Sequence, residues 1–176
     1  MNIFVKFFLI IISIPARIKG IKFGRNSYIN YGYDFVIPCL KNIFLGDNCQ
    51  IGKRASMQTD GGGMIEIGNG CVINRNFTIS SRKNIKIGNN CLLSYNVSLI
   101  DSGHIFQRGL SPAYSGFVEG KSIELGERCF IGAHSFVMPG VKLGNNCVVG
   151  ANSVVVDSFP DNSVIAGSPA KLIRML

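Results

Sequence analysis

The chain has two histidines, and their settings differ. His104 closes the run Leu99-Ile100-Asp101-Ser102-Gly103-His104 and opens a segment, 104–121, that carries Phe106, Gln107, Arg108, Pro112, Tyr114 and Phe117. An imidazole there can take the proton of an attacking hydroxyl or amine. Its second ring nitrogen then needs an acceptor, for which a backbone carbonyl or Asp101 is at hand. The aromatic and polar groups of the segment suit a sugar, by stacking or hydrogen bonding. His134 falls three residues after Ile131, where a side chain faces outward, and reads as a surface or subunit-contact residue. Two histidines cannot supply a three-histidine zinc site from one chain, and no Cys-x-x-Cys pair exists, so no metal is expected. A Gly-Lys-Ser/Thr phosphate loop and a Gly-x-Ser-x-Gly elbow are both missing from the sequence.

The scaffold that must position His104 is written as a repeat. Apolar residues at 23, 29, 35; 45, 51, 57; 67, 73, 79; 87, 93, 99; 125, 131, 137; and 143, 149, 155 stand six apart within each group of three. Many are followed by glycine, as in Leu45-Gly46, Ile87-Gly88 and Ile131-Gly132. Units this short cannot bury a core alone and must stack on copies of themselves. The spacing predicts a β-solenoid of six three-sided coils, each about eighteen residues round, with every insertion at the corner after the third hexad. At about 4.8 Å per strand, six coils make a prism roughly 30 Å tall. The longest insertion, 104–121, interrupts tight turns, and such loops usually carry function.

The cysteines keep the same register. Cys49, Cys71, Cys91, Cys129 and Cys147 each follow the first apolar residue of their coil by four, and Cys39 holds that place in a third hexad. Stacking puts them in a column of small, buried residues. A strand spacing near 4.8 Å is wider than the Cβ separation of about 3.8 Å that a relaxed disulfide prefers. Free thiols and a reducing compartment are therefore expected. The repeat glycines read as positions needing backbone freedom. The corners Asp47-Asn48, Asn89-Asn90 and Asn145-Asn146 suit left-handed geometry.

With 176 residues and no linker, the chain reads as one solenoid domain over 21–176, preceded by an apolar helix in 1–20 and closed by a C-terminal cap from 157. A formal charge of +8 favours anionic partners. Without a dense Lys/Arg run interleaved with stacking aromatics, nucleic acid is not among them. Residues 3–14 are apolar, too short to span a bilayer, and interrupted by Lys6. Two readings stay open: a cap over the first coil's edge, or a helix lying in a membrane interface with Arg17 and Lys19 near headgroups.

The hexads, the Gly103-His104 step at the long insertion and the terminal Gly167-Ser168-Pro169-Ala170-Lys171-Leu172-Ile173-Arg174 resemble the hexapeptide-repeat acyltransferases, closest to galactoside, maltose and polysaccharide O-acetyltransferases. The likeness covers about residues 20–176. It implies an all-β fold, a left-handed parallel β-helix; the usual crossover rule would give the opposite hand. It implies His104 as general base. Asn74, Asp101, Phe130 and Arg108 would meet the acceptor. Ala133 and Ala151 would lie along the pantetheine arm of acetyl-CoA, with Lys171 and Arg174 near its phosphates. Val156-Asp157 departs from the family, which often has a cation there.

The expected function is acetyl transfer from acetyl-CoA to a sugar hydroxyl, in a surface polysaccharide or its precursor, by a homotrimer. The expected location is the cytoplasm, with peripheral contact to the membrane's inner face as the open alternative. The alternatives are N-acetylation of a nucleotide-linked amino sugar, or a non-catalytic scaffold.

Overall fold

The computed structural model describes residues 3–30 and 42–176. Phe35 and Cys39, which the sequence places in the first coil's third hexad, lie outside the described residues.

Three parallel walls wind about one core. Wall 1 stacks Lys22–Phe23, Ile43–Leu45, Met64–Ile67, Asn84–Ile87, Ile123–Leu125 and Lys142–Leu143. Wall 2 stacks Tyr28–Ile29, Gln50–Ile51, Val72–Ile73, Leu92–Leu93, Phe130–Ile131, Val148–Val149 and Ser163–Gly167, with Ala170–Met175 paired antiparallel at its end. Wall 3 stacks Ser56–Thr59, Thr78–Ser81, Ser98–Ile100, Phe136–Val137 and Val154–Val155. The register is that of the hexads: Leu45 pairs Ile67 and Ile87 pairs Leu125 on wall 1; Leu93 pairs Ile131 on wall 2; Leu99 pairs Val137 on wall 3. These residues point inward and are buried. Their alternation with outward neighbours is the period of a strand. The long insertion leaves wall 3 and rejoins at wall 1, at the same corner as the shorter ones.

The repeat glycines have a different reason from the expected one. None of Gly46, Gly68, Gly88, Gly126 and Gly144 has positive φ. A Cβ on Gly88 would come within 2.6 Å of the backbone of Gly126, and one on Gly126 within 2.5 Å of Gly144. Close approach of stacked coils excludes the side chain. The left-handed positions are instead the second corner residues, Asn48, Asn90 and Asn146, with φ near 57–58°. Residues before left-handed corner positions, Gly70 and Asn162 included, tie the corners together: Asp47 Oδ1 accepts from Arg25 N, Asn69 Oδ1 from Asp47 N, Asn89 Oδ1 from Asn69 N, Asn145 Oδ1 from Glu127 N, and Asp161 Oδ1 from Asn145 N, at 2.7–2.8 Å.

Five cysteines are free and buried. Each thiol of Cys49, Cys71, Cys91 and Cys129 donates to the carbonyl of the next coil's glycine, and Cys147 to Pro160 O. Burial raises the Cys147 thiol pKa. Titration of the native protein with a thiol reagent should leave these five unreacted until denaturant is added. Rapid reaction of any of them in the folded state would contradict the column.

The winding runs further than the sequence reading allowed. Phe159 bridges Leu143 on wall 1, and Ile165, six residues on, pairs Val149 on wall 2. The segment from 157 thus continues the solenoid through two more hexads before Ala170–Met175 folds back to cover its edge.

At the other end, α1 (Ile3–Ile12) and α2 (Ile14–Ile18) pack on the first coil. Ser13 lies between them. Its hydroxyl donates to Ile29 O at 3.1 Å and accepts from Ile29 N at 2.8 Å, so it pairs the Ile29 backbone on the side facing the helices. Ala16 is buried in the core.

Candidate functional site

His104 stands at the mouth of the insertion in a single antiparallel bridge to Phe117. The bridge is flanked by Val118 N to Gly103 O at 2.9 Å and Ile105 N to Gly116 O at 3.1 Å. The imidazole is exposed and lies on the Phe117 ring, centroids 4.4 Å apart and planes 35° apart. On that same ring lies the Arg82 guanidinium, 4.0 Å from its centroid, and Arg82 in turn pairs with Asp60. Phe117, one of the groups expected to suit a sugar, packs between the His104 ring and the Arg82 guanidinium. Arg82 was missed by sequence reasoning: no spacing marks it, and only the stacked coils bring Asp60, Arg82 and Asp101 to one corner.

Asp101, expected at the acceptor or on the His104 ring, is turned inward and fully buried. Its Oδ2 accepts from Ser81 Oγ at 2.7 Å and Lys83 N at 2.9 Å, and its Oδ1 from Arg82 N at 2.8 Å. Its own carbonyl accepts from Lys121 N, where the chain re-enters the solenoid. Asp101 therefore fastens both ends of the insertion to the corner below. Arg108, Phe106 and Tyr114 are exposed on the insertion.

The remaining candidates lie elsewhere on the prism. Asn74, Ala133 and Ala151 follow wall 2, at the corner leading to wall 3. Asn74 Nδ2 donates to Leu93 O at 3.3 Å, and Ala133 O accepts from Asn152 N at 2.8 Å. His134 is exposed at this corner, 3.2 Å from the Asn96 amide, with φ 60°. Phe130 is half-exposed on the outer face of wall 2, between Leu92 and Val148. Lys171 and Arg174 are exposed on the terminal strand. Lys171 pairs with Asp157 at 3.2 Å, and Arg174 donates to Met175 O. One protomer therefore does not bring His104 to the residues expected along the cofactor; wall 3 separates them.

A groove elsewhere on the described surface holds none of these residues. It encloses about 950 Å³ along the outer face of wall 1 and the corner leading to wall 2. Glu66, Glu124 and Glu127 outnumber Lys86 and Lys142 in its lining, a poor match for a phosphate-rich ligand. His104, by contrast, presents an exposed imidazole held by ring packing. No group of three or more potential metal ligands occurs among the described residues.

Comparison with known proteins agrees with this architecture. The family model described as the hexapeptide repeat of succinyl-transferase matches residues 43–81 and 123–156. WbbJ of Escherichia coli (strain K12), assigned to lipopolysaccharide biosynthesis as an O-acetyl transferase, is 33% identical over 148 residues, covering 78% of this chain and 76% of WbbJ. A maltose O-acetyltransferase from Clostridium difficile 630 superposes with a TM-score of 0.61 at 28% identity, over 72% of this chain and 68% of that one. A mutant of AntD, an N-acyltransferase from Bacillus cereus, solved with dTDP and coenzyme A, shares the fold: TM-score 0.76, 20% identity, over 93% of this chain and 88% of AntD. The chain belongs to the hexapeptide-repeat acetyltransferases, and its solenoid is the left-handed β-helix of that family.

Proposed function

We propose that this protein transfers an acetyl group from acetyl-CoA to a sugar hydroxyl, in a surface polysaccharide or its precursor. The observation that carries the reading is the exposed imidazole of His104, packed on Phe117 at the insertion of an acetyltransferase solenoid. As the acceptor oxygen attacks the thioester carbonyl, His104 takes its proton. A backbone N–H of the fifth coil near Ala133 faces the developing oxyanion. The C–S bond breaks, the CoA thiolate leaves, and the imidazolium returns the proton to it. Asn74, Phe130 and Arg108 contact the acceptor.

Because wall 3 keeps His104 apart from Ala133 and Ala151 in one chain, the site is completed by a neighbouring copy, as a homotrimer would allow. Leu92 on wall 2, and Met138 and Val156 just past the strands of wall 3, are exposed apolar groups available for that contact. The buried free thiols and the use of acetyl-CoA fit a cytoplasmic enzyme.

Lys171 and Arg174 bind the cofactor's phosphates in this reading. Exposed charge contacts contribute about 0.2–1 kcal/mol each, and about 1.4 kcal/mol is tenfold in Kd. Calorimetry on the Lys171→Ala, Arg174→Ala double variant should show CoA binding weakened roughly 2- to 30-fold. Asp157→Asn, which releases Lys171 from its carboxylate partner, should tighten it. Unchanged affinity in both would remove these residues from the site. Trial acetylation of hydroxyl and amine sugars separates O-transfer from the N-transfer that AntD's name describes.

A further inference from the structure

The segment that closes the first coil also presents a second face. Ser13 and Ala16 face the solenoid and are buried. Phe7, Ile11, Ile14 and Ile18 are 66%, 45%, 44% and 81% exposed, with Phe8 beside them at 60%. Their spacing of four, three and four is one stripe of a helix. Ser13, between α1 and α2, keeps helical backbone at φ −79° and ψ −6°, so the stripe crosses the junction. Single exposed apolar residues are ordinary; a contiguous row this long marks a surface that something covers.

The charge around the stripe says what covers it. Residues 1–33 contain Lys6, Arg17, Lys19, Lys22 and Arg25 and no acidic side chain. Arg17 is held over the Phe23 ring at 4.3 Å and Lys22 over Phe44 at 4.8 Å, so both cations stay at this end of the prism. Arg25 is shared with Asp47 of the next coil. A second copy docking here face to face would set cations against cations with no carboxylate from this segment between them. A layer of anionic headgroups above acyl chains satisfies both the cations and the stripe. No described helix is long and apolar enough to cross a bilayer; a short amphipathic segment meets a membrane by lying along its surface.

We propose that α1 and α2 dock this protein on an anionic membrane surface, with Phe7, Ile11, Ile14 and Ile18 among the acyl chains and the neighbouring cations at the headgroups. This rests on the helical segment and its charge, independently of the catalytic assignment. The full chain is tested by flotation with vesicles of phosphatidylcholine, with and without phosphatidylglycerol, at low and high salt. The protein should float with the anionic vesicles at low salt, less at high salt, and hardly with phosphatidylcholine alone. Phe7→Ser, Ile11→Ser, Ile14→Ser and Ile18→Ser together should lower the bound fraction about tenfold or more, with the melting transition retained. Lys19→Gln with Lys22→Gln should weaken binding to anionic vesicles while leaving the stripe in place. Three outcomes overturn the proposal: no flotation of the parent protein, flotation that the serine variant does not alter, or a concentration-dependent assembly that the serine variant abolishes without any vesicle binding.

Discussion

His104→Ala should lower kcat by about 10²–10⁴-fold, the range that a positioned general base supplies, while the protein remains folded and binds CoA as before. The side chain is exposed, so its loss leaves no buried cavity. The measurement is acetylation of the true acceptor, with the melting transition and CoA affinity followed in parallel. An unaltered rate would remove His104 from the reaction. The structure adds a graded series. Phe117→Leu keeps the bulk of the insertion's base but removes the ring against which the imidazole lies. It should cost less than His104→Ala and mainly affect kcat, since Phe117 holds the base. Arg82→Gln, one contact further out, should cost less again. A Phe117→Leu variant that raises KM alone would return Phe117 to the role of an acceptor contact.

Much of the fold was legible because the constraint is periodic. Each wall position sits on its counterpart in the next coil, so Leu45, Ile67, Ile87, Leu125 and Leu143 form one inward row. A slip by one residue would turn that row outward. The period broke where its markers changed. Phe159 and Ile165 keep the six-residue step, but Pro160 and Ala166 stand where glycine is usual, and the last hexads read as irregular. The glycines showed where they were needed without showing why. Close approach between coils and backbone freedom leave the same residue type in a sequence, and only the distance from Gly88 to Gly126 separates the two causes.

The site was less legible because its parts are joined across coils. His104 could be placed from the break in the repeat. Its support comes from Phe117, thirteen residues on, and Arg82, twenty-two residues back, with Asp60 a further twenty-two back. Each is an ordinary residue in its own neighbourhood. Asp101 shows the same limit more sharply. Three residues before the histidine, it looks like a partner for the ring; the coil beneath takes both its oxygens before the insertion begins.

Asp101→Ala should therefore destabilise the protein strongly, by about 3–5 kcal/mol, because removal of one buried partner strands the others. Ser81 Oγ, Arg82 N and Lys83 N would lose their acceptor at the corner that carries the insertion. The backbone donors cannot turn away, and the side chain they meet is fully buried. Asp101→Asn keeps one acceptor oxygen but points an amide N–H₂ at a donor. Ser81 can rotate to accept from it and Lys83 N cannot, so the asparagine should fall between alanine and the native residue. The measurement is the urea midpoint at fixed protein concentration, with the slope checked for constancy. The corner also fixes where the insertion starts and ends, through Lys121 N on Asp101 O. Limited proteolysis of the alanine variant should accordingly cut within 104–121 sooner than elsewhere. A stability within about 0.5 kcal/mol of the native one, the range of ordinary surface substitutions, would mean that water replaces the carboxylate there and that the corner does not depend on Asp101.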